Sequence, residues 1–246
     1  MSAVPICRLL PYTVADGPRH MALDEVLLRS AQSGTASLRF YGWSEPTLSL
    51  GYFQSEELRH SDPVLAVLPY VRRPTGGATL VHHHEVTYAL ALPAGRSWQQ
   101  RGSWLERMHA IIAGSLKPWR VTARLHEITD TKPFTGVLCF QHHAPGDVMI
   151  GTAKIAGSAQ RKQRGALLQH GAILLARSPH APALPGIGEL AEQVPTVPEI
   201  CQAIQREFSE ETGWELVAGA VMQQELNQVE ELIRTRYGQA AWNRKR

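Results

Sequence analysis

Residues 150–176 read IGTAKIAGSAQRKQRGALLQHGAILLA. Residues 150–157 carry a strand-turn-strand pattern, and 165–176 form a nearly continuous apolar run, as in a strand buried on both faces, where no polar alternation is needed. Such a run needs partner strands and covering helices. Upstream, 147–157, 137–141, 119–126, 79–92 and 70–73 read as strands. Residues 38–41 and 47–52 read as a hairpin across Trp43, Ser44, Glu45 and Pro46. Behind a capping Asp16, residues 19–33 place Met21, Val26, Leu27, Leu28 and Ala31 at helical spacing and stop at Gly34. Residues 97–116 form a second amphipathic helix with a stripe of Trp104, Leu105, Met108, Ile111 and Ile112. The expectation is a large mixed sheet flanked by helices.

Prolines at 179, 182, 185, 195 and 198 argue against regular structure and mark a linker. The chain is therefore divided into a core over 1–178, a Pro-rich linker over 179–198, and a small C-terminal helical extension over 199–246 with helices at 199–208 and 223–237. The 246 residues are 43% hydrophobic and 19% charged, which argues against disorder. A net charge of +3, with scattered basic residues, gives no nucleic-acid footprint. No apolar run is long enough to span a membrane. Cys7, Cys139 and Cys201 cannot pair completely and suit a reducing, cytoplasmic setting.

Cys139 ends a short apolar stretch and precedes a turn-rich segment. Free cysteine is commonly a core residue; to act as a nucleophile it needs a neighbouring cation. Lys154, in a segment otherwise without charge, is a candidate if it points inward. Arg72, Arg73, Gly76 and Gly77 form either an exposed turn or an anion-binding loop in which glycine lets backbone N–H groups approach a ligand. His82, His83 and His84 alternate faces, so that only His82 and His84 share a side, and they cannot converge on one tetrahedral metal. No metal site is expected. His170 and Gly171 interrupt a buried strand, as a core histidine or at a ligand's close approach.

Taken in order, these segments resemble the biotin and lipoate protein ligase family, in particular its ligase-like octanoyltransferase branch. Residues 21–25 (MALDE) resemble the family's first helix, and 46–54 the strand before its ligand loop. Arg72, Arg73, Gly76, Gly77 and His82 match its Arg-Arg-x-x-Gly-Gly-Gly-x-x-x-His loop; 154–161 (KIAGSAQR) and 168–171 (LQHG) match its lysine strand and the next. The resemblance implies an α+β fold, a mixed sheet flanked by helices, related to the catalytic domain of class II aminoacyl-tRNA synthetases. It also implies that Cys139 is an acyl-thioester nucleophile and that Lys154 favours its thiolate and contacts the acyl carbonyl. Arg72, Arg73, Gly76, Gly77, His82, Gly157, Ser158, Ala159, Gln160, Arg161, His170 and Gly171 would line the acyl tunnel.

The activity so implied moves an octanoyl or lipoyl group from acyl carrier protein, or another acylated protein, to a lysine of lipoyl domains of 2-oxoacid dehydrogenases or of glycine-cleavage H protein. A thioester donor is already activated, so neither nucleotide nor metal is required. The alternatives are an ATP-dependent lipoate ligase and a non-catalytic acyl-binding relative. Ala78 in place of the third glycine, His83 in place of the family's aspartate, and the short segment after residue 198 all weaken the ligase reading.

Overall fold

The computed structural model describes residues 4–95, 102–127 and 138–245. Its strands are β1 (Ile6–Leu9), β2 (Thr13–Ala15), β3 (Ser37–Trp43), β4 (Thr47–Leu50), β5 (Tyr70–Arg72), β6 (Leu80–His82), β7 (Glu85–Leu92), β8 (Ala123–Leu125), β9 (Val148–Ile150), β10 (Ala153–Gln163), β11 (Ala166–Leu174) and β12 (Glu215–Ala218). Its α-helices are α1 (Gly17–Gln32), α2 (Pro63–Ala66), α3 (Trp104–Ser115), α4 (Ile187–Leu190), α5 (Val197–Thr212), α6 (Gln223–Leu232) and α7 (Ala240–Asn243). Nine strands form a mixed sheet in the order β12-β1-β3-β7-β11-β10-β9-β8, with β2 also on β3; β5-β4-β6 form a second sheet.

The large sheet is covered on both faces, as the apolar run in β11 requires. In β7, Tyr88, Leu90 and Leu92 pack with Met108, Ile111 and Ile112 of α3 and Ile200, Ile204 and Phe208 of α5. The alternate residues Ala89 and Ala91 meet Leu27, Leu28 and Ala31 of α1. Large side chains on one face and alanines on the other let α1 lie close. Each buried leucine or isoleucine contributes roughly 1.5–3 kcal/mol. Asp16 starts α1 by accepting from the Arg19 N–H at 2.9 Å, and Gly34, at φ +99°, follows its end.

Several elements differ from the sequence expectation. Strands β3 and β4 are not a hairpin, because both edges of β3 are taken, by β1 and β2 on one side and β7 on the other. Residues 43–46 instead carry the chain between sheets. The single strand expected over 79–92 is two, β6 in the small sheet and β7 in the large one, broken at His83 and His84. Cys139 opens a 3-10 turn, Cys139–Gln141, rather than ending a strand, although Leu138 bridges Thr79. Part of the strand expected over 137–141 and of the helix expected over 97–116 lies outside the described residues.

The Pro-rich segment contains α4, whose Ile187 is fully buried in the main core. Residues 199–246 supply a strand as well as helices: β12 pairs in parallel with β1, and α5 contributes to the same core. Short parallel β12 carries too little pattern to be read without its partner.

Candidate active site

Lys154 begins the site. On β10 the register against β9 shifts between Lys154 and Ala156, an irregularity that re-aims side chains. The lysine is 5% exposed; its Nζ lies 2.8 Å from Asp147 Oδ2, 3.2 Å from the His142 carbonyl and 3.9 Å from Cys139 Sγ. Asp147 Oδ2 also accepts from the Ala144 N–H at 2.7 Å. Gly157 leaves room for this arrangement, since a Cβ there would stand 2.7 Å from Lys154 Cε. Cys139 is fixed by its backbone N–H, which donates to the Thr79 carbonyl at 2.7 Å.

Cys139 opens on a small, largely apolar cavity. Met21, Leu80, Ala159 and Ala172 give it apolar walls, and Ser49, Thr87, Ser158, His82 and His170 add polar groups. Gly171 is required by crowding: a Cβ would come 2.4 Å from the Gly157 carbonyl and 2.6 Å from Ser158 Cβ.

Three buried histidines support the walls. His82 donates through Nδ1 to Glu85, and its Nε2 accepts from Ser49 Oγ at 2.8 Å while Trp43 stacks on the ring at 3.7 Å. Burial lowers the His82 pKa despite the Glu85 charge, so this ring is neutral. His109 on α3 is also pushed down by burial; it donates through Nδ1 to the Gly146 carbonyl at 2.6 Å and accepts at Nε2 from Ser158 Oγ at 2.6 Å. It thereby ties the Asp147 turn to β10. His170 Nδ1 donates to Asp24 Oδ2 at 2.7 Å, and its Nε2 meets Thr75 Oγ1 at 2.7 Å. Burial opposes ionisation of Asp24, but Arg39 and the hydrogen bonds from His170 and Arg39 outweigh it and hold the carboxyl below its usual range.

The sequence candidates divide. Arg73, Gly77, His82, Cys139, Gly157, Ser158, Ala159, His170 and Gly171 line one cavity, with Lys154 against Cys139. Gly76, Gln160 and Arg161 line a neighbouring open groove with Tyr52, Phe53, Pro74 and Thr75. Arg72 belongs to neither. Its guanidinium donates to the carbonyls of Gly51 at 2.9 Å, Gln54 at 2.7 Å and Asn243 at 2.9 Å, which corrects the anion-binding role. Nor does His84 share a side with His82; it stacks on His83 at 3.7 Å, away from the site. Among the described residues no cluster of His, Cys, Asp and Glu is arranged for a metal. Sequence reasoning missed Ser49, Thr75, Asp147 and His109, which reach the site only through tertiary packing. Asp24 lay within a quoted helix motif but carried no sign of its partner His170.

The fold thus sets a cysteine and a lysine together at an apolar cavity. The chain belongs to the lipoyl protein ligase A/B catalytic domain family, whose model matches residues 16–183. Among its relatives, the octanoyltransferase LipM of Geobacillus kaustophilus is 30% identical, covering 92% of this chain and 94% of the relative. The octanoyltransferase LipM of Bacillus subtilis is likewise 30% identical over 92% and 94%. The crystal structure of a lipoate-protein ligase A bound with ATP shares the fold, with a TM-score of 0.79 at 24% identity over 96% of this chain and 98% of that one.

Proposed function

We propose that the chain is an octanoyltransferase that carries the acyl group on Cys139. The observation that carries this reading is Cys139 Sγ, 3.9 Å from Lys154 Nζ, opening on the apolar cavity. The curated relatives are named as octanoyltransferases, which agrees with it. In the first half-reaction the Cys139 thiolate attacks the carbonyl of an octanoyl thioester; the new C–S bond forms as the carrier's C–S bond breaks and the carrier leaves as thiolate. In the second, the amine of an acceptor lysine attacks the Cys139 thioester, the amide C–N bond forms, one proton is released and Cys139 leaves as thiolate. Lys154 attracts the thiolate and the oxyanion that develops at each carbonyl. The eight-carbon chain gains ~0.8 kcal/mol for each methylene it buries along Met21, Leu80 and Ala172.

The donor in this reading is octanoyl-acyl carrier protein or an acylated H protein, and the acceptor a lipoyl domain or H protein, in a cytoplasmic setting that suits three free cysteines. No described helix is long and apolar enough to cross a membrane. The test is transfer from octanoyl-carrier protein to a lipoyl domain without nucleotide. Wild type should turn over and Cys139→Ala should not. Transfer that requires lipoate and Mg-ATP and survives Cys139→Ala would make the protein a ligase instead.

A further inference from the structure

Two cations stand at the Cys139 cavity on different elements, Lys154 against the sulfur and Arg73 in the cavity wall, and they differ in charge balance. Lys154 brings its counter-charge with it, since Asp147 Oδ2 lies 2.8 Å from Nζ in a pair that is almost wholly buried. Taken together the pair carries no net charge. Arg73 is equally buried, but every acceptor it meets is neutral: Ser49 O at 2.7 Å, Ser49 Oγ at 3.1 Å, Gly76 O at 2.8 Å and Ala78 O at 2.7 Å. Among the described residues no carboxylate bonds it. The Ala78 carbonyl it holds directly precedes Thr79, whose carbonyl holds the Cys139 N–H, and both side chains line the same cavity.

A guanidinium buried against carbonyls alone is costly, and folds ordinarily supply such a charge with a carboxylate. Of the carboxylates around the site, Asp147 is held by Lys154, Glu85 by His82, and Asp24 by Arg39 and His170, which leaves the thiolate as the anion that can answer Arg73. We infer that Arg73 is the uncompensated positive charge that holds Cys139 as a thiolate, the Lys154–Asp147 pair adding direction rather than net charge. Burial pushes the Arg73 pKa down to about 10, so the guanidinium is still protonated at neutral pH. The other titratable groups facing the cavity carry their own partners, His82 with Glu85 and His170 with Asp24, while His142 meets Lys154 through its carbonyl.

The inference rests on the proposed role of Cys139, and it is tested on the full chain by the pH dependence of Cys139 alkylation with iodoacetamide, located by mass spectrometry. Cys7 and Cys201, both pushed up to about 12 by burial, stay outside the window. Arg73→Gln should raise the alkylation midpoint by about one pH unit or more, the effect of losing an opposite charge at short range. Arg73→Lys should restore most of that shift, and the neutral-pair variant Lys154→Met/Asp147→Asn should move the midpoint less than Arg73→Gln does. An unmoved midpoint in Arg73→Gln overturns the inference. If Arg73→Gln does not fold, the double variant decides, because a rise of about one unit there makes the lysine pair the source of the field. Full transfer activity in Cys139→Ala overturns the nucleophile reading itself, an outcome distinct from a midpoint that stays in place.

Discussion

Arg72 and Arg73 are neighbours at the end of β5, both buried and both satisfied by backbone carbonyls, yet they serve opposite sides of the molecule. Arg72 faces the C-terminal turn: besides its guanidinium contacts, its N–H donates to Asn243 Oδ1 at 2.8 Å and its carbonyl accepts from Trp242 Nε1 at 2.9 Å. Arg73 faces the cavity and Cys139. The first stitches α7 onto the loop at 51–54; the second places charge where chemistry is proposed. Successive residues of a strand point to opposite faces, so one dipeptide supplies a structural clamp and an electrostatic element.

The largest effect that could break this contrast is on the clamp side. Arg72→Ala leaves the carbonyls of Gln54 and Asn243 without a side-chain donor, the Gly51 carbonyl keeping the Gln54 N–H, and should cost about 2–6 kcal/mol at ~1–3 kcal/mol per buried unsatisfied group, read by denaturant unfolding. If it instead shifted Cys139 alkylation and spared stability, the two arginines would have been assigned the wrong way round. On the cavity side, Gly157→Ala should displace the Lys154 ammonium and lower nucleotide-free transfer by about 10²-fold, as misplacement of a reacting group does. Its melting temperature should change far less than that of Arg72→Ala.

Acid should weaken the scaffold before it reaches the clamp. His20, buried on α1 with Nε2 donating to the Gly42 carbonyl at 2.7 Å, has its pKa pushed to about 3, first by burial and then by Arg39. The unfolded chain therefore binds the extra proton near pH 6.5 and the folded one does not, so stability falls as pH drops. The loss should be about 2 kcal/mol between pH 7 and pH 5 from this residue alone, and His20→Gln should flatten the slope in a pH series of unfolding curves. The smallest effect expected is from Ser49→Ala, which removes one hydroxyl shared by Arg73 and His82 but leaves the Ser49 carbonyl in place: about 1 kcal/mol in the same measurement.

The parts of the fold legible in the sequence were those with long patterns. The apolar run became β11, and Asp16 and Gly34 bracket α1. The pairing of β3 was not legible, because its buried residues show no alternation to choose an edge, and the strands β1, β2 and β12 are too short to carry a period. At the site, Cys139 and Lys154 could be nominated by chemistry and ranked by family resemblance, but their separation of 3.9 Å depends on how the Cys139–Gln141 turn packs on β10. Arg72 and Arg73 could not be told apart, since the loop motif contains both and only the strand face separates them. Asp147 gave no signal because its meaning lies in the lysine it neutralises.

The most direct test of the central claim is intact-protein mass spectrometry after a single turnover with octanoyl-carrier protein, without nucleotide or reductant. The account predicts one octanoyl adduct on wild type, located at Cys139, released by hydroxylamine and chased onto a lipoyl domain, with no adduct on Cys139→Ala. An acceptor that becomes octanoylated at the wild-type rate by Cys139→Ala, with no enzyme adduct at any time, would contradict it.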